Sequence, residues 1–94
     1  MTAYRLTEFT TSDMAKLIEF SETLREEVSA AGAESIDVID VGGGKGIVIA
    51  RYASAAQMEA ATAINKSAFG KMVAAGLVDG TSISPQSGEV VFTF

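Results

Sequence analysis

Few residues in this 94-residue chain could do chemistry, and their spacing limits what they can do. The run Gly42-Gly43-Gly44-Lys45-Gly46 has the composition of a phosphate loop. A Walker loop needs Gly-Lys followed by Ser or Thr, and it must open a helix whose N-terminus holds the phosphate. Here Gly-Lys leads into Gly46 and the strand-like Ile47-Val48-Ile49. The run therefore reads as a hairpin turn with glycines at positive φ and Lys45 solvated at its tip. Asp37 and Asp40 look like a carboxylate pair, but on a strand an odd and an even position face opposite ways. They are not expected to share a proton or a metal ion. Glu19, Glu22 and Glu26 read as the water-facing ridge of a helix. Arg51 and Glu8, near strand ends, could form an exposed pair worth about 0–1 kcal/mol.

A sharper candidate comes from polar residues on apolar helical stripes. At about 100° per residue, Ser21 falls near the centre of the stripe Met14, Leu17, Ile18, Leu24, Val28 and Ala31, with Arg25 on its edge. Asn65 falls at the centre of a second stripe with Met58, Ala61, Ala68, Phe69 and Met72. A polar group on a buried stripe must be hydrogen-bonded or cost about 1–3 kcal/mol. With the two helices taken as running side by side in the same direction, Arg25 and Asn65 lie at nearly the same height. Ser21, Arg25, Asn65 and Phe69 are thus the candidate lining of a small pocket, with Ala61 and Ala68 leaving its volume. The competing expectation is that Ser21 bonds its own helix, Asn65 bonds a neighbour, and the alanines only allow close packing. Tyr4 and Tyr52, the two phenols, could bracket an aromatic ligand; more often such rings pack and let the hydroxyl reach water.

Histidine, cysteine and tryptophan are absent. That removes imidazole bases, Ser-His-Asp and Cys-His nucleophiles, thiolate chemistry and axial haem histidines, so no metal and no cofactor is expected. Twelve acidic residues against seven scattered basic ones give a net charge of −5, which argues against a nucleic-acid partner. No apolar run reaches the roughly 18 residues of a membrane span. The start, Met1-Thr2-Ala3-Tyr4-Arg5, shows no signal segment, so a cytoplasmic location is expected.

The elements that must position these residues read in order. Tyr4 to Phe9 is a strand. Thr11 or Ser12 caps a helix running from about Asp13 to Ala31, which Gly32 closes. Ile36 to Val41 and Ile47 to Tyr52 form a hairpin around the glycines. Ser54 with Gln57 has a capping-box pattern opening a long helix that Gly76 closes. A short strand at Thr81 to Ser84, a turn at Pro85-Gln86-Ser87-Gly88 and a last strand at Glu89 to Phe94 complete β-α-β-β-α-β-β. This predicts one α+β domain over residues 1–94, a ferredoxin-like sandwich whose antiparallel sheet carries two helices on one face.

Such strands should alternate, and these do not. Ile47-Val48-Ile49-Ala50 is apolar on both faces; Ile36 and Val38 oppose Ile39 and Val41; Val90, Phe92 and Phe94 oppose Val91. The helices can cover one face only. A second copy of the chain is the economical cover for the other, which predicts a homodimer through the sheet.

With these elements in place the chain resembles the dimeric α/β-barrel superfamily, which includes antibiotic-biosynthesis monooxygenase-type and stress-responsive barrel proteins. The resemblance is carried by Ile47-Val48-Ile49-Ala50-Arg51-Tyr52 running into Ser54-Ala55-Ala56-Gln57, followed by Asn65-Lys66-Ser67-Ala68-Phe69. It implies two ferredoxin-like sheets packed face to face. Oxygenase and haem-degrading members usually rely on tryptophan or histidine, so no catalytic residue is carried over to this chain. Two functional readings follow: a protein that binds or transforms a small, largely apolar molecule in the helix–sheet pocket, or a non-enzymatic dimeric accessory or regulatory module. An amino-acid-sensing domain of the same fold would need glycine between the first strand and helix, and Phe9-Thr10-Thr11-Ser12-Asp13 has none.

Overall fold

The computed structural model describes residues 1–94. A four-stranded antiparallel sheet is built from β1 (Ala3–Thr10), β2 (Ser35–Gly42), β3 (Lys45–Tyr52) and β4 (Ser84–Glu89), in the order β2-β3-β1-β4. The helices lie on one face: α1 (Met14–Glu22) and α2 (Arg25–Ser29) between β1 and β2, then α3 (Ala55–Ala60) and α4 (Thr62–Ala74) between β3 and β4. This is the expected ferredoxin-like α+β arrangement.

Each expected helix is broken once. The first tightens where Thr23 Oγ1 donates to the Phe20 carbonyl at 2.6 Å and Leu24 N donates to the Ser21 carbonyl at 3.0 Å. A threonine that bonds back to its own helix disturbs the i−4 ladder in this way. The second breaks at Ala61, whose amide is shared between the Gln57 and Met58 carbonyls. The N-cap of α1 is Asp13, which accepts from Lys16 N at 3.0 Å, rather than Thr11 or Ser12. Thr11 instead accepts from Asp13 N. Ser54 caps α3 as its spacing predicts, accepting from Gln57 N. Ile18, assigned to the apolar stripe, is 55% exposed.

The direction of the helices is also corrected. β1 and β2 both run antiparallel to β3, and β4 runs antiparallel to β1. The connection through α1 and α2 therefore runs opposite to the one through α3 and α4. Leu17 accordingly packs near Met72 and Leu77, while Ala31 packs near Met58 and Ala61. With the direction reversed, Arg25, at the start of α2, and Asn65, in the first turn of α4, still reach a common space between helices and sheet.

The end of the chain departs most from expectation. Thr81 to Ser84 is mainly a 3-10 turn, Gly80–Ser82, nucleated by Asp79 accepting from Thr81 N at 3.0 Å. Pro85 to Gly88 is strand, not turn. β4 is an edge strand, where a proline without an N–H and a glycine are tolerated because one side has no ladder to complete. Residues 90–94 are not strand. Val90 N donates to the Thr2 carbonyl at 2.8 Å, and the Ala3–Glu89 register then carries Phe92 onward past the end of β1.

The hairpin behaves as read. Gly42, Gly43 and Gly44 all take positive φ, and the tip is tied down by Thr11 N donating to the Gly44 carbonyl at 2.8 Å. Register sets the faces: Ala3, Arg5, Thr7 and Phe9 lie opposite Tyr52, Ala50, Val48 and Gly46, all toward the helices. Gly46 leaves room for the Phe9 ring, since a Cβ there would lie 2.3 Å from Phe9 Cζ. Two buried clusters close the layer: Ala3, Ala31, Ala50, Tyr52, Met58 and Ala61 at one end, and Phe9, Leu17 and Val78 at the other.

Candidate functional site

Between those clusters lies a cavity of about 330 Å³. β1 and β3 supply its floor through Arg5, Thr7, Val48 and Ala50, and the helices supply its roof. All four residues singled out from the sequence line it: Ser21, Arg25, Asn65 and Phe69. A more open cleft of about 570 Å³ lies beside it, toward β4, and shares Arg5, Thr7, Asn65 and Phe69 as its dividing wall.

The polar groups are partly satisfied within the chain. Ser21 Oγ donates to the Leu17 carbonyl at 2.7 Å, an intrahelical bond of the kind foreseen by the competing expectation. Asn65 Nδ2 donates to Tyr52 Oη at 2.9 Å. That single bond uses one of the amide's several hydrogen-bonding positions. No buried side-chain nitrogen or oxygen is left without a partner, so the remaining polar capacity of half-buried Asn65 stays accessible. Arg25 lies at the rim: its side chain is 73% exposed and bonds Glu22 twice, at 2.9 and 2.6 Å. This bond holds the Glu22 carboxyl below the usual carboxylate range and raises the Arg25 guanidinium above its own. Phe69 is half-buried and meets Phe9 at a ring separation of 6.5 Å, so it bounds the cavity on the side of the Phe9 cluster.

Sequence reasoning missed Arg5. One of seven basic residues dispersed along the chain, it shares its face of β1 with buried Ala3, Thr7 and Phe9. The period-2 position was the available signal. Its one hydrogen bond runs from Nη2 to Thr62 Oγ1 at 3.0 Å, and it makes no ion pair.

Other candidates separate. Tyr4 and Tyr52 do not bracket anything together: Tyr52 is fully buried toward the helices, while Tyr4, opposite Arg51, faces the other side of the sheet. The Tyr52 hydroxyl is held by Asn65 rather than by water. Arg51 pairs with Glu34 at 3.3 Å and not with Glu8, because the register places Glu8 opposite Ile47 at the far end of β3. Asp37 and Asp40 face opposite sides, opposite Ile49 and Gly46. The open face of the sheet carries exposed Leu6 and Ile39, exposed Val41 sits at the register shift near the end of β2, and the terminal segment exposes Val91, Phe92 and Phe94.

No family model matches the sequence, and no curated protein is similar to it at a significant level. Solved structures with this fold are numerous. A dimeric ferredoxin-like protein from an uncultured marine organism aligns over 100% of this chain and 98% of its own, with a TM-score of 0.69 and 17% identity. A protein of unknown function from Nitrosomonas europaea aligns over 100% and 94%, with a TM-score of 0.72 and 17% identity. SnoaB, a cofactor-independent oxygenase from Streptomyces nogalater whose structure is of a mutant, aligns over 98% and 95%, with a TM-score of 0.66 and 11% identity. The likeness matches the resemblance read from the sequence at the level of architecture: this chain has the ferredoxin-like α+β fold of those proteins.

Proposed function

We propose that the chain forms a homodimer through the open face of its sheet, and that each protomer binds a small, largely apolar molecule in the helix–sheet cavity. The carrying observation is the cavity itself. It is walled by apolar side chains such as Leu24, Val28, Val48 and Met72, with accessible polar groups converging from Asn65 and Thr7. That combination is the usual composition of a small-molecule site. Its lining contains no histidine, cysteine, aspartate or glutamate; the polar side chains are the neutral Thr7, Ser21, Ser29 and Asn65 and the cationic Arg5 and Arg25.

The dimer is supported by the sheet. Leu6 and Ile39 remain 39% and 40% exposed on the face without helices. Burying such apolar surface contributes about 25 cal/mol per Å². The dimeric state of the marine ferredoxin-like protein lends further support.

Two measurements test this reading. Size-exclusion chromatography with light scattering is expected to give twice the chain mass at micromolar concentration, and Leu6→Lys with Ile39→Lys should shift it toward one chain. A monomer at every concentration would remove the dimer. For the cavity, small aromatic compounds are expected to raise the melting midpoint of the natural chain, and Asn65→Leu should abolish the rise. The internal bonds of Ser21 and Asn65 favour a second reading, in which the dimer acts as a non-enzymatic accessory module. Absence of any thermal response across a broad aromatic panel would select it.

A further inference from the structure

The charges around the two cavities are one-sided. The chain carries 12 acidic residues against 7 basic ones, yet neither cavity has an acidic residue in its lining. Arg5 and Arg25 line one, and Arg5 and Lys66 line the other. Arg25 is neutralised by Glu22. Arg5 and Lys66 make no ion pair.

Arg5 is the unusual member of this set. It is half-buried, on the helix-facing side of a central strand, where a charge without a counter-charge is costly. A guanidinium has five N–H donors, and with one given to Thr62 Oγ1, four remain. None of its nitrogens is both sealed from solvent and unpartnered, so the free donors open onto the cavities that Arg5 separates. Asn65 and Thr7 line both cavities beside it.

We propose that the ligand of this site is a small organic carboxylate: an apolar body occupying the space between the helices, with its carboxylate on Arg5. A planar guanidinium fork meets a carboxylate through two parallel hydrogen bonds, which fixes orientation as well as charge. The Thr62 bond holds the fork in place, and Asn65 supplies a further polar contact. This inference rests on the small-molecule reading above and adds the chemical class of the ligand.

The test is isothermal titration of the full chain with 2-naphthoate and with its uncharged analogue 2-naphthylmethanol, at neutral pH and fixed ionic strength. The expected result is at least tenfold tighter binding of the carboxylate, weakening as salt is raised. In Arg5→Met the two compounds should bind alike, at the affinity of the alcohol; in Arg5→Lys part of the preference should survive. Equal affinities on the natural chain, or a preference that persists in Arg5→Met, would overturn the carboxylate assignment and leave the cavity reading standing. Binding of neither compound would overturn both. Should Arg5→Met fail to fold, the comparison of the two compounds on the natural chain, with its salt dependence, still decides the matter.

Discussion

The ends and the middle of one helix–sheet layer are built on different rules. Along β1 the inward positions run Ala3, Arg5, Thr7, Phe9. The outer two belong to the closed clusters, and the inner two line the cavities. α3 and α4 repeat the pattern, with Met58 and Ala61 in one cluster, Asn65 on the cavity, and Met72 and Val73 against the other cluster. Closed packing is confined to the two ends, and the centre is left open, with a few polar groups among apolar walls. Closed packing and open cavity are thereby assigned to separate stretches of the same strand.

That contrast breaks most visibly at Tyr52, the largest side chain fully buried at either end. Tyr52→Ala is expected to lower stability by about 3–5 kcal/mol, by analogy with other large aromatic truncations, read as a fall in the urea midpoint. A smaller loss should follow Gly46→Ala at the other end, because the new methyl collides with the Phe9 ring. Overpacking of this kind costs about 1–3 kcal/mol. The middle should answer differently. Arg5→Met removes a half-buried unpaired charge and is expected to leave the midpoint within about 1 kcal/mol of the natural chain, or to raise it. A loss as large as that of Tyr52→Ala would mean the middle is structural after all.

The smallest effect concerns acid. Hydrogen bonds from Lys71 Nζ at 2.7 Å and Ser67 Oγ at 3.0 Å hold the Glu27 carboxyl below its ordinary range. A carboxyl whose folded value is lowered favours the folded state at pH above its unfolded value, and that contribution is lost as pH falls through the lowered folded value. Glu22, through Arg25, and Asp79, through Thr81, shift the same way. Stability should therefore decline on acidification below the carboxylate range. Glu27→Gln should make the acid limb slightly shallower in a series of denaturation curves, since this exposed pair is screened by water.

Much of the fold was legible because period and punctuation agreed. Ser54, Gly32, Gly76 and the glycine hairpin announce element ends through local rules that tertiary contacts do not override. The cavity lining was legible from the angular placement of Ser21 and Asn65, which reversing the helix direction does not change. What escaped depended on partners distant in sequence. Pro85 and Gly88 carry turn chemistry, and only their place at a sheet edge makes them strand. Glu34 rather than Glu8 meets Arg51 because of a register no local pattern encodes. Arg5 was overlooked because a charge on a strand is ordinarily assigned to water.

The other edge of the sheet, β2, carries features that oppose strand-to-strand pairing. β2 leaves one side of its backbone unpaired, and Ile36, Val38, Ile39 and Val41 give it the β-branched run that seeds strand-to-strand aggregation. Asp37 and Asp40 put one negative charge on each face of that run, and the ladder shifts register between Asp40 and Gly42. A second β2 laid parallel and in register along this edge would bring like charges together on both faces and meet an irregular ladder. The two aspartates, on opposite faces of the run, are placed as gatekeepers against edge-to-edge pairing, which leaves open the face-to-face dimer proposed above.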